Sequence, residues 1–513
     1  MRLRIEKGRA SGAVQAPPSK SMAHRLLICA GLSAGVCRVH GVAESQDMLA
    51  TMDCLEALGT RCERQGDTVT VYGGIAAADK TACGGQGTED AGCAENTEAA
   101  SSGEAENFGA DAEQESCGQV QRGSACGASG AGAAAASPVM LRCRESGSTL
   151  RFLVPIALLT GRPTEFVGSR RLMQRPLDVY ERLCKERGIA FEQRGQTLRV
   201  CGRLTAGSYE LAGDVSSQFV TGLLLALPLL EGDSRIELIP PVESRSYIDM
   251  TVEALACFGV RAEWQSENCL FIKGGQSYKA DELFVEGDYS NAAFFEALNI
   301  LGSEVRVENL REDSMQGDRV YRELFERLVT AGSRAAALRA AEHPRSGGGE
   351  RGDGNDSSAS HTAAGNSNAD SASIAAARHS DTADYAAIDI SDCPDLGPIL
   401  LATAAARGGG CFTGTKRLKI KESNRGEAMA AELRKLGVSV SVGENEITVG
   451  SEGLHEPSEP LDGHNDHRIV MSAAVLLTQT GGEIKGAEAV AKSFPDFFEK
   501  LASLGIEVKK IED

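Results

Sequence analysis

Ser216-Ser217-Gln218-Phe219-Val220-Thr221-Gly222-Leu223-Leu224-Leu225-Ala226-Leu227 is a phrase in two halves, small polar residues and then a nearly unbroken apolar run. The first half opens a helix, and the second makes that helix apolar on every side, so it has to be enclosed rather than laid on a surface. The phrase recurs. Ser19-Lys20-Ser21, Ser146-Gly147-Ser148, Asp288-Tyr289-Ser290, Pro394-Asp395 and Asn465-Asp466-His467-Arg468 each open a comparable apolar segment. Counted from Ser19, Ser146, Ser216, Asp288, Pro394 and Asp466, the intervals are 127, 70, 72, 106 and 72 residues.

A second landmark keeps the same rhythm. Glycines that close amphipathic helices, at Gly59, Gly188, Gly259, Gly332, Gly437 and Gly505, stand 129, 71, 73, 105 and 68 residues apart. Both series give a period near seventy with two long intervals at the same two places, the mark of an internal repeat. The long intervals hold the two low-complexity stretches. From about 76 to 137 the chain is Ala, Gly, Ser and acid, with ten Asp and Glu against Lys80 and Arg122, and from about 334 to 383 it is Gly, Ser, Ala, Asn and Asp. Neither can bury enough apolar surface to offset its ordering entropy, so both are expected to be insertions. What remains is an α/β chain of six similar units, each reading strand, buried helix, strand, amphipathic helix, strand, strand. Three units per domain gives two similar domains, with the break near Val285-Glu286-Gly287-Asp288 and the first strand, Leu3 to Ile5, belonging with the second half.

Composition narrows the function. A chain of 513 residues and 42% hydrophobic content can bury more than one core. Its net charge of -19 argues against a phosphate backbone as partner, and one Trp with 5% aromatics offers no stacking platform for bases, so no nucleic acid is expected. The N-terminus, Met1-Arg2-Leu3-Arg4-Ile5, carries no signal-like apolar stretch, and the longest apolar run, Phe219 to Leu230, is broken by Gly222 and Pro228 and too short for a bilayer. A cytoplasmic protein with no membrane partner is expected. The fifteen cysteines form no Cys-x-x-Cys pair, and Cys29 and Cys257 fall in apolar helical runs, as buried reduced thiols do. Cys83, Cys93, Cys117 and Cys126 share one low-complexity segment, but their irregular spacing without His does not suit zinc.

Against that acidic background one basic cluster stands out, Thr415-Lys416-Arg417-Leu418-Lys419-Ile420-Lys421-Glu422-Ser423-Asn424-Arg425. Leu418 and Ile420 alternate with charges, which predicts a short strand turning into the helix that ends at Leu436-Gly437. If the buried helices point one way, their N-termini face one cleft, where free N–H groups and dipoles attract anions. The unusual residues lie at those openings: Lys20 and Arg25; Gly147, which lets a ligand approach backbone; Ser216, Ser217 and Gln218, which orient without charge; and Ser244, equally well a plain helix cap. Arg175, Arg425, Arg468 and Lys492 complete a cationic set suited to a ligand pair with more than one anionic group. Asp395 and Glu422, carboxylates among cations, would be held ionised and ready to accept a proton.

Pro18-Ser-Lys-Ser with Arg25, Ser146-Gly-Ser-Thr with Arg151, Gln174-Arg-Pro176, Ser216-Ser-Gln-Phe219, Pro394-Asp395, Lys421-Glu-Ser-Asn-Arg425, Asn465-Asp-His-Arg468 and Lys492-Ser-Phe-Pro-Asp496, in that order, resemble the 3-phosphoshikimate 1-carboxyvinyltransferase (5-enolpyruvylshikimate-3-phosphate synthase) family of enolpyruvyl transferases. The resemblance covers the chain apart from the two insertions. It implies two inside-out α/β domains, each of three βαβαββ repeats, one formed by residues 1–18 with 287–513 and the other by 19–286, with the active site between them. It implies transfer of the enolpyruvyl group of phosphoenolpyruvate to the 5-hydroxyl of shikimate 3-phosphate, on the route to aromatic amino acids, by a monomer without metal or organic cofactor. Lys20, Ser21, Arg25, Ser216, Ser217, Gln218, Ser244, Asp395 and Lys421 would hold shikimate 3-phosphate. Lys20, Gly147, Arg175, Gln218, Arg425, Arg468 and Lys492 would surround phosphoenolpyruvate. Asp395 would take the hydroxyl proton, and Glu422 or Lys20 would protonate C3. The sequence departs from the family where Arg417 replaces an Asn four residues before Lys421, where the turn reads Glu-Ser-Gly-Ser rather than Asn-Ala-Gly-Thr, and where Phe152 replaces a Pro found in some members.

Two rival readings make different expectations. The sister enzyme acting on UDP-N-acetylglucosamine carries Lys-Asn where this chain has Lys20-Ser21, and a reactive Cys in a mobile loop, whereas Cys143 falls in a strand pattern. A non-catalytic binding protein of the same fold would have lost acid-base residues, yet Lys20, Asp395 and Glu422 are present.

Overall fold

The structure, a computed structural model, describes residues 1–75, 137–342 and 385–512. The low-complexity stretches and Cys83, Cys93, Cys117 and Cys126 lie outside the described residues, apart from their borders.

All six predicted openings start helices. Lys20–Leu32, Gly147–Thr160, Ser217–Ala226, Tyr289–Ile300 and His467–Thr480 are capped by Ser19, Ser146, Ser216, Asp288 and Asp466, whose side chains accept from backbone N–H groups two or three residues on. The remaining opening differs. Pro394–Leu396 forms a 3-10 turn leading into Gly397–Arg407, and neither has a side-chain cap, which leaves the Asp395 carboxylate free for other partners.

Among the described residues, five of the six units carry a four-stranded sheet of one design, two parallel strands followed by two antiparallel ones. Val139–Arg144, Thr164–Gly168, Thr197–Cys201 and Ala190–Arg194 lie in that spatial order, as do Ser208–Ala212, Ser234–Ile239, Cys269–Ile272 and Ala262–Trp264, and again Ala387–Asp389, Gly410–Thr413, Glu446–Val449 and Val440–Val442. Three units borrow a strand from elsewhere in the chain. Glu282–Phe284 pairs in parallel with Val36–His40 to complete the first unit. Arg2–Ile5 inserts between Gly482–Lys485 and Val508–Ile511 to complete the last. In the fourth unit Ser11–Gln15 pairs in parallel with Glu304–Glu308, the two strands described there.

Side chains gather into two hydrophobic clusters. One runs from Met22 to Val285, and the other joins Leu3 to Ala16 with Tyr289 to Ile506. The chain passes between them twice, side by side: Ser19 N donates to Glu286 O at 2.8 Å, and Asp288 N donates to Pro17 O at 2.8 Å. Gly287 is needed at this crossing, because a Cβ there would sit 2.1 Å from Asn309 O.

Four expectations need correction. Lys416–Ile420 is a 3-10 turn rather than a strand; Thr415, Arg417 and Leu418 are buried, Leu418 N bonds back to Thr415 O, and the alternation of two apolar residues was too short to fix the period. Gly332 closes no helix. It lies within Tyr321–Glu342, where a Cβ would meet the Arg407 carbonyl oxygen at 1.8 Å, so glycine serves a close crossing of two helices. That helix also carries the backbone nine residues past 333, into the stretch read as insertion. Cys257, at the end of Arg245–Cys257, is exposed, although Cys29 is buried as expected.

Candidate active site

The helix openings converge on a cleft between the two clusters, lined by Lys20, Ser21, Arg25, Gly147, Arg175, Ser216, Ser217, Gln218, Ser244, Asp395, Lys421 and Glu422 together with Asp47, Ser148, Arg151, Phe152, Tyr247 and Arg417. From the first cluster's side come buried guanidiniums with neutral partners. Arg25 donates to Thr251 Oγ1 at 2.9 Å, Ser21 O at 2.6 Å and Tyr247 O at 2.8 Å. Arg151 donates to Gln218 Oε1 at 2.8 Å and Pro176 O at 3.1 Å. Burial pushes Arg25 down to about 10, and burial followed by repulsion from Arg175 pushes Arg151 down to about 9. Cations buried against hydroxyls and carbonyls are sites that an anion would stabilise.

The second cluster supplies the opposite arrangement, carboxylates enclosed by cations. Asp395 Oδ1 accepts from Lys421 Nζ at 3.1 Å and Arg425 Nη1 at 2.8 Å, while Oδ2 faces Arg468 Nη2 at 3.2 Å. Burial disfavours its charge, but Arg468, Lys421 and Arg425 overcome that and hold the carboxyl well below the usual range. Glu422 receives Arg425 Nη2 at 2.6 Å and has Arg175 Nη2 at 3.9 Å; again burial opposes and these guanidiniums prevail, holding it well below the carboxylate range. Arg425 is 1% exposed and also bonds Asp466 through Nε at 2.9 Å, so one guanidinium is shared by three carboxylates. Lys20 Nζ points to Asp47 Oδ2 at 3.0 Å.

At Gly147 a Cβ would stand 2.7 Å from Arg175 Nη1 and 3.2 Å from Arg151 Nη1, so this glycine preserves the space where two guanidiniums meet. Gln218 spans the same corner, receiving Arg151 and donating to Ser148 Oγ at 3.0 Å. Ser244 is no ordinary cap. Its backbone is left-handed at φ 55, its N–H donates to Asp392 Oδ1 at 2.7 Å, and its hydroxyl receives Arg417. Arg417 is 5% exposed, with Glu243 at 3.9 Å. Arg425 and Arg468 reach the cleft through Asp395 rather than lining it. Lys492 stands apart, paired with Glu145 and donating to Asn465 O at 2.6 Å.

Arg151, Asp47, Tyr247 and Asp318 were given no role by the sequence. Arg151 and Tyr247 stand four and three residues from the candidates Gly147 and Ser244, but Asp318 sits in Met315-Gln316-Gly317-Asp318, which reads only as a turn.

A cleft between two clusters of repeated α/β units, with helix N-termini and guanidiniums around a buried carboxylate, is the arrangement of the inside-out α/β class of enzymes. A family model for EPSP synthase (3-phosphoshikimate 1-carboxyvinyltransferase) matches residues 5–88 and 115–501. A 3-phosphoshikimate 1-carboxyvinyltransferase of Clostridium beijerinckii is 34% identical over 510 residues, covering 98% of this chain and 97% of the relative, and that of Clostridium kluyveri is 32% identical with the same coverage. Among solved structures, EPSP synthase from Acinetobacter baumannii superposes with a TM-score of 0.63 at 20% identity over the whole of both chains. The enolpyruvyl transferase NikO from Streptomyces tendae gives 0.59 at 14% identity, covering 99% of this chain and 98% of its own. The chain belongs to the EPSP synthase family.

Proposed function

We propose that this chain transfers the enolpyruvyl group of phosphoenolpyruvate to the 5-hydroxyl of shikimate 3-phosphate and releases phosphate. The observation that carries the mechanism is Asp395, a carboxylate that does not cap its helix and is kept ionised by Lys421, Arg425 and Arg468. It takes the proton of the attacking hydroxyl as oxygen adds to C2 of phosphoenolpyruvate. Phosphoenolpyruvate anions on Arg425 and Arg175 draw those guanidiniums away from Glu422 and raise its carboxyl, so that either Glu422, after taking a proton from solvent, or Lys20 is the donor to C3. Lys20 completes that corner as a donor to both substrates. The tetrahedral adduct then loses phosphate from C2 and returns a proton from C3 to the group that supplied it, which restores the double bond, with the surrounding cations balancing charge throughout.

Shikimate 3-phosphate lies against Lys20, Ser21, Arg25, Ser216, Ser217, Gln218, Ser244, Asp395 and Lys421, and Arg417 extends the phosphate cradle where relatives with Asn have an amide. Phosphoenolpyruvate occupies the corner of Lys20, Gly147, Arg175, Gln218, Arg425 and Arg468, and Lys492 joins it by leaving Glu145. The two domains divide at 18/19 and 286/287, a reading supported by the two clusters and the paired crossing segments. The chain is expected to act as a cytoplasmic monomer, since every side chain in the scheme is its own; no described helix is long and apolar enough to cross a membrane. Cys143, buried in Val139–Arg144, does not suit the reactive loop cysteine of the UDP-N-acetylglucosamine reading. Asp395→Ala is expected to lower turnover by roughly two to four orders of magnitude while shikimate 3-phosphate still binds by calorimetry; near-normal turnover refutes the assignment.

A further inference from the structure

One carboxylate beside the cleft has no part in that scheme. Asp318 lies in the Gly317–Val320 turn and is 5% exposed. Tyr247 Oη donates to its Oδ2 at 2.8 Å, and its Oδ1 is buried with no hydrogen-bond partner among the described residues. The same hydroxyl stands 3.4 Å from Asp395 Oδ2. A phenol has one proton to give. Given to Asp318, it leaves Tyr247 facing Asp395 with a lone pair, which repels an ionised carboxylate and becomes a hydrogen bond once that carboxylate is protonated. The arrangement is therefore complementary to Asp395 after it has taken the substrate proton, not before.

We propose that Asp318 is a proton reservoir for Asp395, reached through the Tyr247 hydroxyl, and acts as a positioning residue for both halves of the reaction. After addition, the proton on Asp395 Oδ2 passes to Tyr247 Oη as the tyrosine's own proton passes to Asp318 Oδ2. Asp395 is again a carboxylate, Tyr247 is neutral throughout, and Asp318 has become the neutral acid. In the elimination half both protons move back, and Asp395 hands its proton to the departing phosphate. The three groups gain and lose no proton over a turnover.

The surroundings give the transfer its direction. Asp395 sits among Lys421, Arg425 and Arg468, which favour its charged form. Asp318 faces Tyr247, Asp395, Asp288 and Cys393, with Arg468 as the cation that favours its charge. Burial first, and then Asp395, push the Asp318 carboxyl up to about 7. Burial, followed by Asp318, pushes Tyr247 well above the usual phenol, which keeps it a conduit rather than a base.

This inference rests on Asp395 being the base, and steady-state kinetics across pH separate the two. Asp318→Asn and Tyr247→Phe are each expected to lower kcat by roughly tenfold or more with KM for both substrates little changed, and the double variant to be no slower than the worse single. Asp318 must be ionised to receive a proton, so wild-type kcat falls as pH drops through about 7, and both single variants lose that acid limb. Unchanged kcat, a limb that persists in Tyr247→Phe, losses confined to KM, or additive losses overturn the reservoir; Tyr247→Phe decides alone if Asp318→Asn does not fold. An inactive Asp395→Ala with unimpaired Asp318→Asn refutes the reservoir only, whereas an active Asp395→Ala refutes the base assignment beneath it.

Discussion

Asp395 shows how a residue acquires a role from neighbours distant in sequence. As a lone carboxylate at a helix start it would cap the helix and do no more. Its helix begins with a 3-10 turn and takes no side-chain cap, so three cations from two other helix openings claim it instead. Those partners could be read in the sequence because each occupies an opening in the repeat. Asp318 could not, since nothing in its turn marks it; its chemistry comes from burial and from Tyr247, on a helix some seventy residues earlier. Gly147 belongs to the same scale. In Gly147→Ala the new methyl presses on Arg175 and Arg151, an overpacking of ~1–3 kcal/mol that falls on the phosphoenolpyruvate corner. Its KM should rise by roughly fivefold to a hundredfold, with shikimate 3-phosphate binding nearly unchanged by calorimetry; an unchanged KM would mean the corner is not the phosphoenolpyruvate site.

At the scale of elements, the buried helices were legible and the connections were not. A helix apolar all round with a polar cap is a strong local signal, and five of the six openings use their side chains as that signal predicts. Thr415 to Ile420 is ambiguous in sequence because two alternating apolar residues carry too little periodicity to separate a strand from a 3-10 turn. Gly332 falls at the interval of a helix-closing glycine, yet its missing Cβ serves instead to admit the Arg407 carbonyl. Gly332→Ala therefore forces apart Tyr321–Glu342 and Gly397–Arg407. A loss of ~1–3 kcal/mol in chemical denaturation is expected, larger than for Gly35→Ala, where a Cβ meets nothing within 4 Å. Equal effects would remove the close-crossing explanation.

Over the whole molecule, the repeat predicted six units, and the strand pairings explain how one chain closes them. Borrowed strands at Arg2–Ile5 and Glu282–Phe284 stitch the ends of each half into place, and the two crossing segments lie side by side, a geometry suited to a hinge. Only the assignment of Leu3 to Ile5 to the second half was visible beforehand; Glu282–Phe284 returning to the first sheet was not, because strand order is a long-range property that local pattern does not encode. Across the cleft, Arg171 donates to the backbone of Lys419, Lys421 and Glu422, and Lys492 pairs with Glu145. These exposed and half-exposed contacts are individually weak, so the substrates themselves should determine how firmly the halves close. Small-angle scattering is expected to show a smaller radius of gyration with shikimate 3-phosphate and phosphoenolpyruvate together than without them, and no change would argue against closure.

The central claim is that the cleft joins phosphoenolpyruvate to shikimate 3-phosphate. Phosphate release from phosphoenolpyruvate, followed with each acceptor in turn and with the product weighed by mass spectrometry, tests it most directly. Release with shikimate 3-phosphate and a product carrying the added enolpyruvyl group, with none from UDP-N-acetylglucosamine, is the predicted result. Release with UDP-N-acetylglucosamine alone, or with neither acceptor, would contradict it.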